Sequence, residues 1–183
     1  VGNSAAPRAT AARRFELDAS AHNLFLSARE AGGRGDYEEA ARQYRRVLKQ
    51  SGYFAPANLE LGLALSNLSR WYDAIGALQP VAERDSARFP VAHYHLARLY
   101  EKLGRHATAA DHFARAAELY GDENPQMLVD LSRVRERLGD TRGALDAIEA
   151  YSVAIGKQGS VPGWVVERAD ALRMRLRAAP AKP

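Results

Sequence analysis

Residues Leu96 to Ala116 read LARLYEKLGRHATAADHFARA. A helix-like run carrying Leu96, Ala97 and Tyr100 stops at Gly104, and a second run carrying Ala109, Phe113 and Ala116 begins just beyond it. Small Ala97 and Ala109 let two helix backbones approach closely, and large Leu96 and Phe113 fill the space between them. The stretch therefore predicts a tight helical hairpin. Working outward, the same turn recurs at Gly35, Ser69, Gly104 and Gly139, with steps of 34, 35 and 35 residues. A period of that length marks an array of helical hairpins, and such arrays make surfaces more often than active sites.

Superposing the four units gives columns. Ala28, Gly62, Ala97 and Ser132 form one small column, and Ala40, Ala74, Ala109 and Ala144 form another. Tyr44, Leu78, Phe113 and Ile148 form a large apolar column, and Leu61, Leu96 and Leu131 a fourth in which Ser27 is the exception. Small residues facing large ones at fixed spacing describe interdigitated packing.

The expected helices run near Ala19–Ala31, Tyr37–Gln50, Pro56–Leu68, Arg70–Arg84, Pro90–Leu103, Arg105–Tyr120, Pro125–Leu138 and Thr141–Ile155, with a ninth near Pro162–Arg177. Pro56, Pro90, Pro125 and Pro162 stand where a first-turn proline forfeits no hydrogen bond. Asp36 and Asp140 stand at N-cap positions after glycine. Loops this short make neighbouring helices antiparallel. Pro80, inside the fourth helix, removes one backbone bond and predicts a kink. The chain is thus divided into residues 1–18 (a tail, or a backward extension of the first helix, with Asp18 or Ser20 as the alternative cap), 19–155 (four hairpins), 156–177 (a loop and capping helix) and a tail over 178–183.

The pattern resembles the tetratricopeptide repeat (TPR) family across about Ala21 to Tyr151. It is clearest in Leu96-Ala97-x-x-Tyr100 with Gly104, Ala109, Phe113 and Ala116, and in Gly35-Asp36-Tyr37-x-x-Ala40. The chain departs from the family where an early aromatic is usual and Leu24, Asn58, His93 and Leu128 stand instead. It also departs in the fourth unit, where Arg135 takes the place of Leu65 and Tyr100. The resemblance implies an all-α, right-handed α-solenoid of about four hairpins closed by a C-terminal capping helix. A single hairpin cannot offset the entropy of ordering itself, so the units must share faces.

Composition narrows the function. The 183 residues are 46% apolar and 26% charged, which suits a continuous core and argues against global disorder. Net charge is +4 and dispersed, so it points only weakly to nucleic acid. Absence of cysteine excludes disulfides and thiolate chemistry. No apolar run reaches membrane-spanning length. The arginine and alanine bias suits a GC-rich bacterial source. A start at Val1 followed by an Ala/Pro/Thr tail suits an exported bacterial protein after leader removal, although a cytoplasmic fragment would read the same.

The residue spacing carries no catalytic or metal-binding signature. His22, His93, His95, His106 and His112 include no i, i+4 pair, and no HExxH occurs, so no metal or cofactor is expected. His93 and His106 fall in packing columns, the latter with Tyr37 and Trp71. Gly32-Gly33-Arg34-Gly35 lacks the Lys-Ser/Thr of a phosphate loop. Arg34-Gly35-Asp36 spells an adhesion tripeptide but sits in a turn and supplies the next cap. No nucleophile–base–acid set and no paired carboxylates stand out, and no enzyme activity is expected.

In TPR arrays the first helix of each hairpin lines the concave face. Carried over by column, that face holds Phe25 and Arg29; Leu59, Leu63 and Asn67; Tyr94, His95, Arg98 and Lys102; and Val129, Arg133 and Arg137. Arg29, Arg98 and Arg133 share a column interrupted by Leu63. Arginines among aromatics suit an extended acidic–hydrophobic partner segment, because guanidinium groups bind carboxylates bidentately and stack on rings. The competing reading pairs these arginines with Glu30, Glu60, Glu101, Asp130 and Glu136 on the same face. The carboxylate clamp of some TPR co-chaperones would fall on Phe25, Arg29, Glu60, Val91 and His95. Only Arg29 is basic there, so clamp-type docking is disfavoured.

The leading expectation is a non-catalytic adaptor holding protein partners in a larger complex. A second is an accessory subunit docked by its tails and convex side. A third is nucleic-acid binding through a final helix made basic by Arg168, Arg173, Arg175 and Arg177, whose Trp164 is expected to seal the core.

Overall fold

The computed structural model describes residues 17–157 and 159–178. The expectations for the two tails fall largely outside them. The described residues are all-α. In chain order the helices are α1 (Ala19–Gly33), α2 (Tyr37–Ser51), α3 (Ala55–Asn67), α4 (Trp71–Arg84), α5 (Val91–Lys102), α6 (His106–Tyr120), α7 (Gln126–Arg137), α8 (Thr141–Gly156) and α9 (Gly163–Ala178), with one 3-10 turn over Gly121–Glu123. They form four helical hairpins, two in each of two compact units, followed by a further helix that packs on the last hairpin.

Backbone chemistry explains the boundaries. Gly35, Ser69, Gly104 and Gly139 all adopt positive φ (82°, 58°, 71° and 76°). In each turn the following residue's N–H reaches back to a carbonyl in the last helical turn. Asp36 donates to Ala31, Arg70 to Leu65, Arg105 to Tyr100 and Asp140 to Arg135, at 2.8–2.9 Å. The same left-handed closure therefore ends the first helix of every hairpin. The Asp36 and Asp140 side chains accept from the N–H groups of Glu39 (3.2 Å) and Gly143 (2.8 Å). Asp18 caps α1 by accepting from Ala21 at 2.8 Å, so α1 starts at Ala19 and is not continued back through Asp18. Pro90, Pro125 and Pro162 each precede the first helical residue rather than occupy it, and Pro56 lies inside the first turn of α3. Pro80 leaves α4 a single helix.

The chain divides into two compact units between Asp85 and Ser86. In the first, α1 packs on α2, α2 on α3 and α3 on α4. Ala28, Ala40, Ala74 and Leu78 are fully buried and Tyr44 is 2% exposed. Gly62 faces Leu78 so closely that a Cβ at position 62 would lie 2.5 Å from the Leu78 Cγ. Phe25 sets its ring edge-on against Tyr44 (5.8 Å) and Phe54 (5.5 Å).

In the second unit α5 packs on α6, α6 on α7, α7 on α8 and α8 on α9. One core cluster joins Ala97, Ala109, Phe113, Leu131, Val134 and Ala147. A second joins Ala144 and Ile148 to Val165, Ala169 and Leu172 of α9. These three α9 side chains close the core. Trp164 does not: it is 45% exposed and lies tilted beside the Tyr151 ring. The unusual Arg135 is accommodated by a glycine. Its Nη1 donates to the Gly143 carbonyl at 3.0 Å, and a Cβ on Gly143 would come within 2.9 Å of the Arg135 Cδ. Ser132, fully buried in the small column, satisfies its hydroxyl by donating to the Ala144 carbonyl at 2.8 Å.

Candidate partner-binding site

Each unit presents a hollow lined in part by the first helices of its hairpins. In the first unit a pocket of about 310 Å³ opens between α1, α2 and α3. α1 brings Arg29 and the backbone of Gly32 and Gly33, α2 brings Tyr37 and Tyr44, and α3 brings Glu60, Leu63 and Asn67. Buried Ala40 and Ala64 form its floor. Helical spacing explains the set: Glu60, Leu63, Ala64 and Asn67 are three and four residues apart and share one face. Among the described residues neither Arg29 nor Glu60 enters an ion pair. The Asn67 amide donates to the Leu63 carbonyl at 3.0 Å, which leaves its oxygen for another group. Burial pushes the Tyr44 phenol well above its ordinary range; Glu60 adds to the effect and Arg29 opposes it, so the hydroxyl stays protonated. The pocket thus offers an apolar floor with one cation, one anion and amide and phenol groups around it.

Of the residues expected here, Arg29, Leu63 and Asn67 come together. Phe25 is spent in the aromatic cluster with Tyr44 and Phe54. Leu59 is half-buried and does not line the pocket. Tyr37 and Tyr44 line the pocket without having been expected there, and Glu60 was expected on this face only as an acid competing for the arginines. Tyr44 follows the large packing column, and the column pattern gives no sign that its edge borders an opening.

In the second unit a shallower hollow of about 410 Å³ lies between α5 and α7, lined by Arg98, Glu101, Lys102, Asp130, Arg133 and Arg137. Here the competing sequence reading is realised in part. Glu101 accepts from Arg133 and from Arg137 (2.6 Å), and Asp130 accepts from Arg133 at 2.7 Å. Arg98 stands 4.0 Å from Asp130. Burial alone would raise the Glu101 carboxyl, but hydrogen bonding to Arg133 and the charges of Arg133, Arg137 and Arg98 outweigh it and hold the group below the usual carboxylate range. Tyr94 sits edge-on to Phe113 and His95, against the core rather than in the hollow. Burial, helped by Arg98, lowers the His95 pKa, which keeps the ring neutral near pH 7. Val129 packs with the α8–α9 cluster.

Elsewhere, the arginines of α9 are largely engaged. Glu136 accepts from Arg168 and from Arg175 (2.7 Å), and Arg173 donates to Asp170 (2.8 Å) and Glu149 (2.6 Å). His93 and His112, 19 residues apart, meet through their Nδ1 atoms at 2.9 Å, with Tyr100 stacked on His112. Among the described residues no group of three or more His, Cys, Asp or Glu side chains is placed to hold a metal ion. No described helix is long and apolar enough to cross a membrane.

Comparison with known proteins follows the same lines. Residues 90–123 match the family model described as Tetratricopeptide repeat. No curated protein matches the chain. Among solved structures, MamA from Desulfovibrio magneticus RS-1 is 13% identical with a TM-score of 0.69, covering 91% of this chain and 100% of that one. YrrB, described as a TPR protein with an unusual peptide-binding site, is 16% identical with a TM-score of 0.64, covering 73% and 68%. The first TPR of Spaghetti (RPAP3), solved with the HSP90 peptide SRMEEVD, is 17% identical with a TM-score of 0.61, covering 67% and 97%. None of these comparisons indicates an enzyme family. Residues 90–123 are thus a match to a tetratricopeptide repeat, and the fold of the chain is similar to that of these TPR structures.

Proposed function

We propose that this protein is a non-catalytic adaptor that holds an extended segment of a protein partner on the first-helix faces of its hairpins, within a larger complex. The observation that carries the reading is the first-unit pocket. There an apolar floor lies beside Arg29 and Glu60, neither of which enters an ion pair among the described residues. Charged groups left unmatched beside an apolar floor gain most from a ligand that supplies both kinds of contact. Such a ligand carries an apolar side chain for Leu63 and Ala64 and a carboxylate for Arg29. Glu60 in the same pocket disfavours a terminal carboxylate clamp, because its charge would face the incoming chain end. The peptide bound to the RPAP3 repeat and the peptide-binding site described for YrrB are consistent with a binding role for the fold.

The test is crosslinking of the native complex with wild-type protein and with the Arg29→Glu and Leu63→Asp variants, each first shown by circular dichroism to be folded. Both variants should lose a partner that wild type captures. Full capture by both folded variants, or no protein partner at all, overturns the reading. The nucleic-acid reading gains little support, since Arg168, Arg173 and Arg175 already face carboxylates.

A further inference from the structure

We propose that the first-unit pocket selects a partner segment of mixed charge, in which an apolar side chain stands between an acidic residue and a basic one. The inference rests on the adaptor reading of this pocket and adds the basic residue, with Glu60 as its receptor. The lining holds two charges of opposite sign, Arg29 from α1 and Glu60 from α3. Glu60 is half-buried, and its side chain enters neither a hydrogen bond nor an ion pair among the described residues. Arg29 is exposed and likewise enters neither. Both charges act on the Tyr44 phenol, Glu60 raising its pKa and Arg29 lowering it, so they stand around one buried side chain.

An occupant that covers Leu63 and Ala64 also takes water from the charges beside them. If it brings a carboxylate alone, Arg29 gains a partner while Glu60 loses solvent and meets a like charge. A charge that loses water without gaining a partner opposes binding. A basic residue set against Glu60 removes both penalties. The order along α3 fits such a segment. Glu60 lies one turn before Leu63 and Ala64, about 5 Å along the helix axis. Asn67 lies one turn beyond them, with its amide oxygen open to a main-chain N–H. A lysine or arginine beside the apolar residue thus reaches Glu60 while the apolar group keeps the floor. The arrangement is also a filter: Glu60 repels a uniformly acidic segment and Arg29 a uniformly basic one.

The test uses the whole chain and short peptides blocked at both ends, followed by NMR through the Gly32 and Gly33 amides and the Asn67 side-chain amide. The probes are Gly-Asp-Leu-Lys-Gly and Gly-Lys-Leu-Asp-Gly, each also with its lysine replaced by glutamine, and Gly-Asp-Leu-Asp-Gly, all at constant ionic strength. At least one lysine peptide should shift these resonances saturably and bind about tenfold more tightly than its glutamine counterpart. Gly-Asp-Leu-Asp-Gly should bind weakest. Glu60→Gln should erase the advantage of lysine over glutamine, and Arg29→Gln should weaken every acidic peptide yet keep that advantage, both with an unchanged circular dichroism spectrum. The wild-type series decides by itself if a variant fails to fold. Glutamine peptides that bind as tightly as their lysine counterparts, or a lysine advantage that survives in folded Glu60→Gln, overturn the proposal and leave capture through Arg29 and Leu63 standing. No saturable shift with any peptide overturns it as well, and the crosslinking of Arg29→Glu and Leu63→Asp then judges the adaptor reading separately.

Discussion

Replacing Gly62 by alanine adds one methyl group at the tightest approach in the first unit. The new Cβ would lie 2.5 Å from Cγ and 2.7 Å from Cδ2 of Leu78, a side chain with no exposed surface. Carbon atoms prefer about 3.5–4.0 Å, so Leu78 must leave its rotamer or α3 must move away from α4. Overpacking of this kind costs roughly 1–3 kcal/mol. Alanine also favours the helix by about 0.8–1.0 kcal/mol over glycine, which would blur the result if Gly62→Ala were measured alone. Gly76 supplies the reference. It lies inside α4 of the same unit, and a Cβ there meets nothing within 4 Å. Gly76→Ala should raise stability by about 1 kcal/mol. The helix term cancels between the two variants, so Gly62→Ala should fall below Gly76→Ala by about 1–3 kcal/mol. Urea denaturation followed by circular dichroism reads this directly. The melting temperatures should differ in the same sense, by roughly 2–4 °C per kcal/mol for a chain of this size. Trimming Leu78 to alanine in the Gly62→Ala background should shrink the gap, as expected for two positions in contact. Equal stability of Gly62→Ala and Gly76→Ala would refute the close approach of α3 and α4, and with it the reading of Ala28, Gly62, Ala97 and Ser132 as one packing column.

Ser69→Gly should stabilise the protein by about 0.5–1 kcal/mol in the same denaturation assay. Ser69 holds φ at 58°, where an L side chain is strained, while the three equivalent turns use glycine. The gain falls short of the full strain because glycine has more freedom to lose on folding. Acidification should weaken the fold as pH falls through about 6.5. Burial lowers the His112 pKa in the folded state, with Asp111 partly opposing, so the unfolded chain binds the proton more readily in the window below the ordinary histidine value. His95 is shifted in the same direction by burial and by Arg98. His112→Asn should flatten the pH dependence of the denaturation midpoint between pH 7 and 5.5; an unchanged slope would show that this ring does not carry the effect.

Much of the architecture was legible because its causes are local. A left-handed turn depends on the few residues around Gly35, Gly104 or Gly139, and a cap depends on Asp36 or Asp140 and the N–H group three residues on. Both repeat at a fixed period, so four hairpins could be counted and the alanine columns placed before any packing was known. The boundaries at Pro90, Pro125 and Pro162 shifted by one residue, since a proline is equally compatible with the position just before a helix. Trp164 was misread because size alone does not say which side of α9 faces inward; its neighbour Val165 took the core position.

The site was less legible, because it depends on which side chains meet across helices. The spacing along the chain says that Arg133 and Glu101 lie on first-helix faces, but not that they bind each other across 32 residues while Arg29 and Glu60 enter no ion pair among the described residues. Nor does it say that Gly143 makes room for Arg135, or that His93 and His112 share a contact. The sequence by itself determined the repeat, the helices, the turns and the small and large columns, since each follows from conformational preferences within a few residues. Tertiary structure alone decided which charges enter ion pairs and which do not, because ion pairing and pocket shape depend on distances between helices that local preference does not encode.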